Sequence, residues 1–292
     1  MPFNHENLIV YQRVLAFNAK VSTWTAQWDS KHAICDQLSR AAGSMLENLA
    51  MASAAYSKMK ERGMDYAIGS CLECAACLDL ARVKSLLAAD EVHAEKEELS
   101  QILRMMVGLR KSWSDNAQVL RDDTAEYKVE SKVDKARDKA RDEGLENRVL
   151  FHHETLDVYQ VAIMAAEAFC SSETVSRLPN PTFRRLDEML TSMILNIAEG
   201  NGRFSDADQT RFLGTAHESA IKLAARLDLC VARDLIPEID AMEWKRLLER
   251  VAVMTSSLIA SIWGKENRQS SRQREEDRTT VSYGDAHPPD RK

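Results

Sequence analysis

Glycine and proline are scarce in this chain of 292 residues, at 10 and 6, and aromatic residues make up 6%. Folds that turn often need such punctuation, so its shortage favours helices. No valine- and isoleucine-rich alternating run reads as a strand. No apolar run approaches the roughly twenty residues that span a bilayer. The chain begins inside a recurring segment, which leaves no room for a signal peptide, so a cytoplasmic location is expected. Its six cysteines (Cys35, Cys71, Cys74, Cys77, Cys170 and Cys230) lack a paired framework and read as free thiols. The net charge of −6 argues against bulk electrostatic coating of nucleic acid. Any RNA contact therefore needs a local patch. P-loop, dinucleotide fingerprint and nucleophile–base pattern are missing, and no enzymatic activity and no cofactor are expected.

What is present is said twice. Phe3-Asn4-His5-Glu6-Asn7-Leu8-Ile9-Val10-Tyr11-Gln12 returns as Phe151-His152-His153-Glu154-Thr155-Leu156-Asp157-Val158-Tyr159-Gln160. At the same offset Ser44-Met45-Leu46-Glu47-Asn48-Leu49-Ala50 returns as Ser192-Met193-Ile194-Leu195-Asn196-Ile197-Ala198. Such an echo marks a tandem duplication. Within each copy, apolar residues recur at three- and four-residue steps, as in Leu8, Tyr11, Leu15 and Ala19 or Ile34, Leu38, Ala41, Met45 and Leu49. Four amphipathic helices per copy predict an all-α protein of two tandem up-down four-helix bundles, over 1–120 and 149–265. Leu178-Pro179-Asn180-Pro181, Gly200-Asn201-Gly202 and Ile236-Pro237 separate the helices of the second copy, and Ser205 reads as an N-cap. Residues 121–148 alternate charges at helical spacing and predict a solvated helical spacer. Residues 266–292 are polar and aperiodic and predict a disordered tail.

Few residues stand out as chemistry. Cys71, Cys74 and Cys77 have the spacing of a cluster ligand set, but inside a helix they fall on one face. Core packing is the leading reading, with a metal or redox site as the alternative. Ala216, Ser219 and Lys222 align with them in copy two. The histidines do not cluster, no Glu-x-x-His pattern occurs, and no metal site is expected. Asn48 and Asn196 occupy equivalent places in apolar helical stretches, where an amide must find partners. Tyr11 and Tyr159 can fill the core while their hydroxyls reach the bundle end.

The segment Ser192-Met193-Ile194-Leu195-Asn196-Ile197-Ala198-Glu199-Gly200-Asn201-Gly202-Arg203 resembles a family signature, S-I-x-x-N-I-A-E-G-x-G-R. That four-helix-bundle family includes ribosomal-RNA intervening-sequence proteins and the accessory variability determinant proteins of diversity-generating retroelements. The opening at Phe151, Leu156, Val158, Tyr159 and Gln160 and the segment Gly214-Thr215-Ala216-His217-Glu218-Ser219 carry the likeness further. Copy one keeps the opening, Ser44, Asn48, Ala50, Gly69, Ser70 and Glu73, but reads Met51-Ala52-Ser53-Ala54-Ala55 in place of the glycine turn. The resemblance implies a non-enzymatic scaffold, a possible homo-oligomer or ring, with a reverse transcriptase or structured RNA as partner. Its RNA-facing candidates are Arg203, Arg211, Arg184 and Arg185. Glu199, Gly200 and Gly202 complete the structural motif, the glycines allowing a sharp reversal and Arg203 either bridging locally or holding a phosphate. The alternative is a protein–protein interaction module with no nucleic-acid contact.

Overall fold

The computed structural model describes residues 4–55, 58–115 and 150–284. The expected spacer over 121–148 lies outside the described residues, as do residues 285–292. Among the described residues there is no strand. The first bundle comprises α1 (Ile9–Gln27), α2 (Ile34–Ala54), α3 (Lys58–Val83) and α4 (Ala89–Asp115). The second comprises α5 (Asp157–Cys170), the single turn α6 (Glu173–Ser176), α7 (Asn180–Asn201), α8 (Asp206–Val231) and α9 (Glu238–Gly284). In each bundle consecutive long helices pack together and the last closes on the first.

The local signals act as their chemistry dictates. Pro181 sits in the first turn of α7, where its missing N–H costs nothing. The Ser205 hydroxyl accepts from the Asp208 backbone N–H at 3.0 Å, capping α8, with Asp206 and Asp208 in the first turn. Two expectations about helix ends change. The helix expected to end near Lys265 runs to Gly284, over a polar stretch free of glycine and proline after Gly264. Gly202 closes α7 with φ −88°, so the glycine pair makes no left-handed reversal. The glycines permit close approach instead. A Cβ on Gly202 would lie 1.8 Å from Leu72 Cδ1, and one on Gly200 would lie 3.1 Å from Phe212 Cβ.

The copies share a finer register than the sequence offset gives. Ser44 meets Ser70 at 2.9 Å, and Ser192 meets Ser219 at 3.1 Å. Ser85 and Asp234 both adopt positive φ, and behind them Leu86 N–H bonds Ala81 O while Leu235 N–H bonds Cys230 O. The α7–α8 link is thus one residue longer than the α2–α3 link. The equivalents of Cys71, Cys74 and Cys77 are therefore Ala220, Leu223 and Arg226, rather than Ala216, Ser219 and Lys222.

One helix has no solvent face along most of its length. α3 is buried nearly all round from Met64 to Ala81 because it packs on α2 and α4 of its own bundle and on α7 and α5 of the other. Its counterpart α8 stays amphipathic. Leu72 is 7% exposed where Ile221 is 52% exposed, and buried Gly69 matches exposed Glu218. The two copies consequently share a single contiguous core.

Among the described residues one stretch, Glu238–Gly264, is long and apolar enough to cross a membrane by length and composition, with a mean hydropathy of 1.2 over its most apolar window. That departs from the expectation drawn from apolar runs. Here it forms the first part of α9, which packs on α5 and α8, with Trp244, Leu248 and Val251 buried in the core.

Candidate functional site

The recurring opening motif builds the same object twice. Asn4–Asn7 and His152–Thr155 each form a short 3₁₀ turn, in which Leu8 N–H bonds His5 O at 3.0 Å and Leu156 N–H bonds His153 O at 3.1 Å. The following glutamine folds back on the turn. Gln12 donates to Glu6 O at 2.7 Å and Gln160 to Glu154 O at 3.2 Å. Histidine then lies against tyrosine, with ring centroids 4.6 Å apart for His5–Tyr11 and 4.7 Å for His153–Tyr159. The copies differ in what covers this turn. His153 and Tyr159 are buried, whereas His5 and Tyr11 are half-exposed.

The cover is the α3–α4 edge of the first bundle, and it makes a polar seam. Tyr159 donates its hydroxyl to Asp79 Oδ2 at 2.9 Å. Lys96 donates to Asp79 Oδ1 at 2.5 Å and also pairs with Glu154. Burial alone would lower the Lys96 pKa, but Asp79 and Glu154 outweigh it and hold the ammonium charged. Burial raises the Glu154 carboxyl and the Tyr159 phenol, and pushes His153 down to about 3, so its imidazole is neutral. A cleft of about 770 Å³ opens beside the seam, lined by Asp79, Arg82, His93, Lys96, Glu154 and Tyr159 among others.

Two further contacts lock the bundles. Lys84 at the end of α3 pairs with Asp187 of α7, both side chains essentially without solvent. Asp187 also accepts from Ala33 N–H at 2.8 Å, so a carboxylate of the second copy caps α2 of the first. At the other end, Arg203 pairs with Glu199 and lies 4.5 Å from the Phe212 ring centre and 5.5 Å from that of Tyr66. Its guanidinium rests against Gly69, where a Cβ would come within 2.8 Å. Nearby, burial first and then the Glu199 charge push the Glu73 carboxyl up to about 7.

This places the candidate residues. Arg203 is only 7% exposed and pairs with Glu199 at the joint between bundles, so of its two readings the local bridge is the one the structure contains and the RNA-facing one is not. Arg184, Arg185 and Arg211 are exposed, but each has a carboxylate partner: Glu188 for the first two and Asp208 for the third. Asn48 donates to Ser44 O at 2.8 Å and Asn196 to Ser192 O at 2.7 Å, each within its own helix. Cys71, Cys74 and Cys77 are buried, burial raises all three thiols, and Cys71 points its sulfur at Leu99 O. Such thiols pack rather than react.

The seam is where sequence reasoning fell short. Nothing local in the sequence marks Asp79 and Lys96, though the repeat does. Their equivalents in copy two, Asp228 and Lys245, form the same pair at 2.6 Å. There the pair is open to solvent, flanked by the exposed Ile221 and Met242 on a shallow apolar groove. The surface that receives a bundle in copy one thus recurs in copy two, where none of the described residues fills it.

No curated protein and no solved structure matches the chain. A family model described as 23S rRNA-intervening sequence protein matches residues 6–108 and again residues 154–257, one match for each bundle and together more than two thirds of the chain. The chain therefore belongs to the 23S rRNA-intervening sequence protein family, of which it carries two tandem copies.

Proposed function

We propose that the protein is a non-enzymatic scaffold whose chains associate head to tail through the joint that already unites its two bundles. It would act in the cytoplasm as an accessory of a complex containing structured RNA or a reverse transcriptase. The observation that carries this reading is the recurrence of the joint's parts. Asp228, Lys245 and Ile221 repeat the receiving face of Asp79, Lys96 and Leu72, while His5, Glu6 and Tyr11 repeat the inserted turn. A heterologous contact made once within a chain can be made again between chains, and repeating it gives a ring or a filament. Association between chains should be weaker than docking within one. Ser39 and Glu47 are exposed where the second copy buries Asp187 and Leu195.

Family membership supports RNA as the partner, and Arg184, Arg185 and Arg211 are the exposed cations of the second bundle nearest its signature. A protein–protein module without nucleic-acid contact is the second reading, favoured by the carboxylate partners of those arginines and the net charge of −6. Filter binding of a structured RNA over a salt series separates the two. An RNA scaffold should lose affinity with rising salt and lose roughly tenfold or more when all three arginines become alanine. Salt-insensitive or undetectable binding, unchanged in the triple variant, would favour the protein-only module.

A further inference from the structure

We infer that Asp79, His153 and Glu154 form a site for a first-row divalent transition-metal ion, zinc above all, held between the two bundles. One donor atom from each residue lies within 4.8 Å of the others. Donors on a tetrahedral zinc ion are roughly 3.3–3.5 Å apart, so side-chain rotation would draw the three together by up to about 1.5 Å. Imidazole with carboxylates is a donor set that suits zinc, iron and manganese, with zinc bound more tightly than manganese.

His153 is the independent observation. It is fully buried between Phe151 and Tyr159, and neither ring nitrogen has a hydrogen-bond partner. Leaving a buried imidazole unpaired is costly, and an aromatic hydrocarbon would fill the space without that cost. A metal bond would satisfy it. Tyr159 supplies the outer support, donating to Asp79 Oδ2 and fixing that carboxylate's orientation. The neighbouring cleft provides an entry path and room for water to complete the coordination.

Lys96 is the competing cation. Its ammonium pairs with both Asp79 and Glu154, leaving two carboxylates facing one positive charge. A dication entering from the cleft would balance both carboxylates and release the Lys96 side chain toward the cleft it already lines. Because Asp79 comes from one copy and His153 and Glu154 from the other, the ion would staple the two bundles. Asp79 is far along the chain from His153 and Glu154, which is why no ligand spacing shows in the sequence.

Isothermal titration of the chelator-treated full chain with zinc chloride, and separately with manganese chloride, tests the site. One ion should bind per chain, zinc more tightly than manganese. His153→Phe, which keeps a ring between Phe151 and Tyr159, should retain the helical circular dichroism and weaken zinc binding at least about tenfold. Lys96→Met removes the competitor and should strengthen it by about tenfold or more. Absence of binding in the wild type and in Lys96→Met would overturn the assignment. Zinc affinity unchanged by His153→Phe would overturn it as well, since the ion would then sit on cysteines or surface histidines.

Discussion

Asp187→Asn is expected to lower the free energy of unfolding by about 3–5 kcal/mol, the cost of breaking a buried ion pair from one side. The change leaves the Lys84 ammonium 1% exposed, without a counter-charge, beneath the second bundle. It also weakens the cap on α2, because Asp187 accepts from Ala33 N–H and α2 has no capping side chain of its own. Removing both charges should behave differently. Lys84→Met with Asp187→Leu replaces the pair by apolar groups, which is often close to neutral, leaving mainly the unpaired Ala33 N–H at about 1 kcal/mol. Urea denaturation followed by circular dichroism measures all three chains. A loss below about 1 kcal/mol in Asp187→Asn would mean that the pair is hydrated, as it would be if the bundles stood apart.

Arg203→Ala is expected to cost about 3 kcal/mol, by the same one-sided loss of a buried charge. Glu199 would lose its partner while remaining mostly buried, with Glu73 as a like-charged neighbour. The flat guanidinium also fills the space between Phe212, Tyr66 and the bare backbone at Gly69. Arg203→Lys should therefore recover only part of the loss, since an ammonium cannot stack in that slot. Guanidinium chloride denaturation checks both variants. Near-wild-type stability in Arg203→Ala would return this residue to the surface and reopen its reading as a phosphate contact.

The fold was legible because each bundle states its own rules. Helical spacing of apolar residues, Pro181 in a first turn and Ser205 as a cap are local facts, and local facts survive into the structure. The signature around Asn196 and Gly202 led to the family for the same reason. The joint was harder to read because it depends on which side of α3 faces another helix. Gly69, Leu72 and Ala76 look like ordinary packing residues until α8 shows Glu218, Ile221 and Ala225 at the same places, open to solvent. Arg203 misled for a related reason. An arginine beside two glycines looks presented to solvent, but here the glycines let a second bundle close over it. The one-residue difference between the α2–α3 and α7–α8 links further hid the match of Asp79–Lys96 with Asp228–Lys245.

Light scattering on the size-fractionated full chain tests most directly whether this joint is built to repeat. The chain has a mass of 32.9 kDa. The wild type should show a mass that rises with concentration toward multiples of that value. Asp228→Arg should stay at the mass of one chain with its helical content intact, because Asp228 is exposed and serves no core. A wild type that remains a single chain at every concentration, or an Asp228→Arg variant that assembles as well as the wild type, would contradict head-to-tail association through the repeated joint.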